Sequence, residues 1–230
     1  MKRSLLIISA ILAFSLSAAA QDNGIAPGVQ WDTIQVVRPA KPSEHLIGVR
    51  YNFAFTGVMM NPDLTHKAWA SPFNISLLYT FYHPLWRSFN YFGLQVGVKY
   101  GRFGYSNDKY DFEHLEQKIS YVEIPFVSAA HIDIGEHIRI LISLGLFGSY
   151  RISTTKDNGW DCFDNRWGYG LIGGAGFAVR FAKRFEIHIE GAYQHDFSYL
   201  FDPQKMSSDW WLFVNPYHIN ISAGFHVKIK

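Results

Sequence analysis

One cysteine, Cys162, stands in the whole chain. A single thiol cannot form an internal disulfide, so it either stays free or bridges two molecules. Charge is sparse, with 17% charged residues and a formal net charge of +2. Long apolar runs are missing beyond residue 20: no later stretch approaches the roughly 20 apolar residues that a transmembrane helix needs. What the sequence holds in quantity is apolar and aromatic surface. Hydrophobic residues make up 48% of the 230 residues and aromatics 17%. The first figure excludes disorder on composition. The second fits a large surface at a membrane–water interface, where Trp and Tyr rings are stable. An aromatic-rich soluble sandwich would share it.

The N-terminus reads as an export signal. Lys2 and Arg3 form a positive region, and Leu5 to Leu16 is apolar but for Ser9 and Ser15. Ala18, Ala19 and Ala20 then supply small residues for cleavage before Gln21. The alternative is an anchor helix, for which the apolar stretch is short. No cysteine lies at the cleavage position, which argues against a lipid anchor. Removing Lys2 and Arg3 leaves 19 basic residues against 19 acidic ones, so the mature chain is near neutral and implies no nucleic-acid partner. The expected organisation is a signal peptide over 1–20, a periplasmic leader over 21–43 and one barrel domain over 44–230. Pro27, Pro39 and Pro42, with Asn23-Gly24 and Pro27-Gly28, break regular structure in the leader.

From residue 45 on, period-two alternation dominates. In His45 to Phe55 the residues Ile47, Val49, Tyr51, Phe53 and Phe55 share one face, opposite Gly48, Arg50, Asn52 and Ala54. The same pattern recurs in Phe73–Tyr82, Tyr91–Arg102, His137–Tyr150, Trp167–Phe181, Phe185–His195 and Tyr217–Ile229, and less regularly in Lys118–Ala129. Segments of this length suit tilted membrane strands of about 9 to 11 residues better than soluble strands of about five or six. Long connections near 57–72, 103–117, 151–166 and 196–216 alternate with short ones near 83–90, 130–136 and 182–184. Outer-membrane barrels combine long extracellular loops with short periplasmic turns. The expected fold is therefore all-β, an eight-stranded antiparallel up-and-down transmembrane β-barrel in the cell outer membrane, with N- and C-termini periplasmic.

The polar face carries Arg50, Lys99, Glu123, Arg139, Arg180, Glu186, His188 and Glu190. Facing lipid, an Arg or Lys costs about 2–4 kcal/mol near the midplane. Turned inward, the opposite signs can pair, and an eight-stranded interior is just wide enough for side chains to fill. The expectation is a structural polar network in a plugged lumen, with glycines of the third and sixth strands making room for long neighbours. Phe81, Tyr82 and Trp86 are expected in the girdle at one end, with Phe55, Tyr100, Tyr150, Trp167 and Tyr217 at the other. A soluble lipocalin-like barrel would need the faces reversed.

The run Tyr121-Val122-Glu123-Ile124-Pro125-Phe126-Val127 resembles the Tyr-Leu-Glu-Ile-Pro-Leu-Leu strand of PorT-like outer-membrane β-barrel proteins, over roughly residues 45–230. A proline inside a strand removes a ladder hydrogen bond, so a local bulge is expected at Pro125. The chain ends on Phe225-His226-Val227-Lys228-Ile229-Lys230, which suits a C-terminal insertion signal without the usual terminal aromatic. The resemblance implies the barrel fold and, more weakly, an accessory role in type IX protein secretion.

Constellations with chemical potential are few. Glu186, His188 and Glu190 share a face and have metal-ligand chemistry, but salt bridges to Arg180 and Lys228 are the expected use. His218 and Ser222 share a face, and His195-Asp196-Phe197-Ser198 lies near a rim. Either would serve a lipid-modifying enzyme only with hydroxyl and imidazole in hydrogen-bond reach. Four residues along a strand is too far for His218 and Ser222. Gly173-Gly174-Ala175-Gly176 lies inside a strand and is no phosphate cradle. The loops carry Asp63, Asp108, Asp111, Asp157, Asp161, Asp164, Asp202 and Asp209 with Trp69, Trp160, Trp210 and Trp211, the makings of a binding crown without calcium-loop spacing. No catalytic residue, metal ligand or cofactor follows. The expected role is non-enzymatic, structural or loop-mediated. The expected partners are outer-membrane lipid and lipopolysaccharide, the barrel-assembly machinery and, through the resemblance, secretion-machine proteins.

Overall fold

A chain whose polar and apolar residues alternate for more than ten positions has two faces that one environment cannot satisfy. Pairing such segments side by side sorts all the apolar faces to one side, and closing the sheet removes its last unpaired edges. The computed structural model, which describes residues 43–61, 67–83, 92–107, 115–156, 158–182, 184–205 and 213–229, shows this outcome. Its strands are β1 (Glu44–Asn61), β2 (Lys67–Tyr82), β3 (Phe92–Asn107), β4 (Leu115–Ile134), β5 (Ile138–Thr154), β6 (Trp167–Phe181), β7 (Phe185–Asp196) and β8 (Phe213–Lys228). Each pairs with its sequence neighbour, and β1 pairs with β8, giving a closed eight-stranded antiparallel barrel. The β1–β8 seam runs from Leu46↔Lys228 to Asn61↔Phe213 without a register shift. The proposed signal peptide and nearly all of the leader lie outside the described residues, as do Trp86, Trp210, Trp211, Asp63, Asp108, Asp111, Asp157 and Asp209.

The faces are inverted relative to a water-soluble fold. On β5 the outward residues Ile138, Ile140, Ile142, Leu144 and Leu146 are all exposed, the last two at 56% and 57%. Arg139 on the same strand points inward and is 1% exposed. The arrangement repeats on every strand: Val49 and Tyr51 out with Arg50 in, Ile187 and Ile189 out with His188 in.

Several strands outrun the sequence pattern. β1 continues to Asn61 and β2 starts at Lys67, so the connection between them is shorter than the one from Tyr82 to Phe92. The clean long–short alternation of connections is therefore not kept. Part of the expected loop length is hairpin ladder, as in Gly57↔Tyr217 through Asn61↔Phe213. Ladder pairing there needs no alternation, because Val58 and Val214 are covered by other residues rather than by the outer environment.

Pro125 departs from expectation too. Lys99↔Glu123 and Val96↔Phe126 keep one register, and Pro125↔Phe147 sits in an unbroken run with β5. The ladder to β3 is interrupted at Gly97 and Val98 rather than bulged. The β4–β5 shift falls instead between Ser120 and Tyr121.

Glycines set the bore. A Cβ on Gly48 would lie 2.0 Å from His226 Cδ2, and its ladder partner is that same His226, which is fully buried. Inner glycines of β3 and β6 make room less for long ions than for rings and apolar chains. Gly93 faces Tyr82, Gly101 faces Tyr121 and Gly170 faces Phe147, while Gly176 faces Glu190. Tyr82, expected in a girdle, is instead buried beside Leu46 and Ala129, and its ring lies edge-on to His131. Its even position on β2 gives it the parity of the inward Thr80 and Leu78.

Gly48→Ala is expected to destabilise the barrel by about 1–3 kcal/mol through overpacking. Gly148→Ala, with nothing within 4 Å of the new Cβ, should be near neutral. Urea unfolding of the two variants checks the contrast.

Candidate functional site

The lumen collects most of the chain's buried charge, in three tiers. At the terminal end, which holds Glu44 and Lys228, Arg139 is the hub. Its Nε donates to Asp133 Oδ1 (2.9 Å) and its Nη2 to Glu44 Oε2 (3.0 Å), while Glu186 Oε1 lies 3.4 Å from Nη1. The other oxygen of Glu44 accepts from Lys228 Nζ at 2.8 Å. Arg180 Nη2 reaches Asp133 at 3.2 Å. The Tyr82 ring lies 5.5 Å from the Arg139 guanidinium, a cation–π contact that a dry environment strengthens.

The middle tier is the most enclosed. Arg50 and Glu190 form a bidentate pair, Nη1 to Oε2 at 2.7 Å and Nη2 to Oε1 at 2.8 Å. His188 links this tier to the one below: its Nε2 is 2.9 Å from Glu186 Oε2 and its Nδ1 3.9 Å from Glu190 Oε1. The His188 ring stacks on His226 with centroids 3.7 Å apart. Across the bore, Lys99 Nζ donates to Gln194 Oε1 (2.6 Å) and lies 3.7 Å from Glu123. Gln194 Nε2 donates to Glu123 Oε1 (2.9 Å), and Asn220 Nδ2 to Gln194 Oε1 (2.7 Å). A cavity of about 40 Å³ lies among these side chains.

At the loop end Arg151 reaches Asp196 (3.4 Å), Ser198 Oγ (3.3 Å) and the carbonyls of Asn165 and Tyr199. Above it Val58, Phe103, Ile119, Tyr121, Val214 and Leu200 form an apolar layer across the bore. Leu200 comes from the β7–β8 connection, which is stitched down by Leu200 N to Val214 O, Asn165 N to Leu200 O and Asp202 N to Phe163 O. A cavity of about 430 Å³ opens at the terminal end, lined by Glu44, Glu136, His137, Arg180, Glu186 and Lys228.

The geometry joins Arg50 with Glu190, Lys99 with Glu123, and Arg139 with Glu186 and His188. Arg180 stands apart at the rim with Asp133. The expected pairing of Arg180 and Lys228 with Glu186, His188 and Glu190 is not formed; Arg139 and Arg50 hold the two glutamates, and Lys228 holds Glu44. Sequence reasoning missed Glu44, Asp133, Arg151, Asp196 and His226 as network members. Asp133 and Arg151 carry the inward parity of β4 and β5 and become legible once those strands are extended to Ile134 and Thr154.

The hydroxyl and imidazole candidates are separated. Ser222 Oγ donates to Glu190 O (3.2 Å), while His218 is packed edge-on between Phe103 and Tyr121. His195 stacks on Tyr193 and meets Phe197 edge-on on the outer side, whereas Asp196 and Ser198 turn toward Arg151. Among the described residues no group of three or more His, Cys, Asp or Glu is arranged to hold a metal ion. In the loops, Lys156 Nζ pairs with Asp164 (2.8 Å) and Asp161 (3.4 Å), and Cys162 is exposed.

No family model matches this chain, and no curated protein matches it. Solved structures do. Neisserial surface protein A matches with a TM-score of 0.52 at 14% identity, over 81% of this chain and 99% of that one. The outer membrane protein OprG from Pseudomonas aeruginosa matches with a TM-score of 0.44 at 9% identity, over 81% and 95%. Ail, the attachment invasion locus protein of Yersinia pestis, in complex with the heparin analogue sucrose octasulfate, matches with a TM-score of 0.44 at 16% identity, over 81% and 99%. The likeness to Neisserial surface protein A is one of fold, a closed barrel of the same architecture.

Arg50→Ala leaves Glu190 buried without its cation and is expected to cost about 3–5 kcal/mol. The paired replacement Arg50→Met with Glu190→Leu should recover most of that loss. A double-mutant cycle read by urea unfolding checks both.

Proposed function

We propose that this chain is an integral outer-membrane β-barrel protein with no enzymatic activity, acting as a structural or loop-presenting element of the cell envelope. The observation that carries the reading is the inversion of polarity: an unbroken apolar outer face around a lumen of paired charge. From Ile138 to Tyr150 the outward band of β5 covers about 40 Å of strand at ~3.4 Å per residue. At the ~40° tilt usual in such barrels that is about 30 Å of height, enough to cross a hydrocarbon layer. In water the same band would be a very large exposed apolar patch. Aromatics gather at both margins, with Phe181, Phe185 and Phe225 clustered near the terminal end and Tyr150 against Trp167 near the loop end. The signal-like pattern of residues 2–20 accords with export, and periplasmic termini follow if the longer connections face outward.

The filled bore supports a barrel that does not conduct. Ser222 donates to Glu190 O, Ser198 lies against Arg151, and His218 packs between Phe103 and Tyr121; this separation of hydroxyls and imidazole among the described residues supports a non-enzymatic role. The finer resemblance to PorT-like barrels rests on Tyr121 to Val127 in β4, where Glu123 points inward to Lys99 and Ile124 and Phe126 point outward. It supports a secretion-accessory role as a second reading. That reading requires exported cargo to vanish from the medium of a deletion strain and return on complementation; an unchanged medium removes it.

The purified protein folded in lipid vesicles is expected to migrate faster in SDS before boiling than after, and to stay with the membrane through a carbonate wash. Equal migration with release into the supernatant would contradict the membrane reading. In planar bilayers the wild type should show no porin-sized conductance steps.

A further inference from the structure

The outer surface at the loop end carries an arrangement that barrel closure does not require. Register places Tyr100 beside Val122, Val122 beside Tyr150 and Tyr150 beside Trp167. Strands β3 to β6 therefore present one row at the upper margin of the apolar band. Two arginines stand on the loop side of that row. Arg102 follows Tyr100 by two residues on the same face and is exposed. Arg166 precedes Trp167, and its guanidinium lies 4.7 Å from the Tyr150 ring centroid and 5.4 Å from that of Trp160.

Arg166 is held in place by backbone. Its Nε donates to Arg151 O (3.3 Å), Trp160 Nε1 donates to Ile152 O (3.3 Å), and Asn165 Oδ1 accepts from Trp167 N (3.1 Å). The acids nearest in sequence are committed elsewhere, Asp164 and Asp161 both to Lys156. Among the described residues no carboxylate pairs with Arg166 or Arg102. A guanidinium stacked on two rings, with Nε occupied, keeps its two terminal nitrogens for a bidentate oxyanion such as phosphate. The stacking fixes the side chain in advance and lowers the entropy lost on binding.

Below Arg166 on β6 the outward residues are Trp167, Tyr169 and Leu171, the first two exposed at 69% and 61%. A free anion gains nothing from such a surface. A molecule with a phosphate at the top and an acyl chain below contacts all of it, and aromatic rings at this level belong at a lipid headgroup boundary. We propose that Arg166, assisted by Arg102, forms a headgroup site for a phosphate-bearing lipid of the leaflet at the loop end. The proposal rests on the membrane reading above.

The test uses the full mature chain in detergent micelles and native mass spectrometry. The probes are bisphosphorylated lipid A, lipid A stripped of its phosphates, phosphatidylglycerol and inorganic phosphate. Folding of each variant into vesicles is verified first by the unboiled gel shift, so failure of the membrane reading shows as absence of that shift in the wild type and overturns both. With the shift present, retention of the phosphorylated lipids is expected to exceed that of stripped lipid A by about tenfold, the scale of one charge-assisted pair. Arg166→Gln should remove most of this preference, Arg166→Lys should keep part of it, and Arg102→Gln should weaken it less. Inorganic phosphate at millimolar concentration should not displace the lipid. Equal retention by wild type and Arg166→Gln, or equal retention of stripped and phosphorylated lipid A, would overturn the proposal, as would displacement by inorganic phosphate.

Discussion

The bidentate contact between Arg50 and Glu190 lies at the centre of the molecule, and the rest of the interior is organised around the same necessity. Each charge placed on an inward strand position must find its opposite within the bore, because the apolar band around it offers none and an unpaired ion in a dry interior costs several kcal/mol. Arg50 on β1 reaches Glu190 on β7 across the seam strand β8, and His188 extends the contact to Glu186 and so to Arg139. Lys99, Glu123 and Gln194 perform the same service between β3, β4 and β7. These links cross the barrel rather than run along it, so they add to the ladder a set of internal ties.

That filling has a functional consequence. A bore occupied by ion pairs in the middle and by Phe103, Tyr121 and Leu200 at the loop end supports the proposal that the barrel does not conduct. What the protein offers to its surroundings is therefore its outside: an apolar band, aromatic margins and the surfaces of the connections. The proposed structural or loop-presenting role rests on this division of labour, with the chemistry consumed inside and the contacts displayed outside.

The sequence disclosed the architecture because the two faces of each strand differ so sharply in polarity. Ile138, Ile140, Ile142, Leu144 and Leu146 announce both a strand and its outward side before any pairing is known. The bounds of β6 were legible for the same reason, since Trp167 and Phe181 close a clean alternation. The ends of β1 and β2 were not, because ladder pairing past the band is carried by residues covered on both sides or wet on both sides, and alternation then carries no signal; the end of β4 keeps the alternation, with His131 in and Ile132 and Ile134 out, and was cut short at Ala129. Inward residues were legible one by one, partners were not. Register decides that Glu186 meets Arg139 rather than Arg180, and register is a property of pairs of strands. Tyr82 shows the opposite error, an aromatic assigned to a girdle by residue type when its parity on β2 already placed it inside.

The central claim is that the apolar face of the barrel lies against lipid and the charged face does not. Nitroxide labels introduced singly at residues 139 to 146, in a Cys162→Ser background, measure it directly through collision with oxygen and with a water-soluble nickel chelate. The account predicts that labels at 140, 142, 144 and 146 collide with oxygen and are shielded from nickel, in a two-residue alternation in which 139, 141, 143 and 145 lack that oxygen contact. Nickel access at 142 and 144 equal to that of a label on the exposed loop position 162 would contradict it.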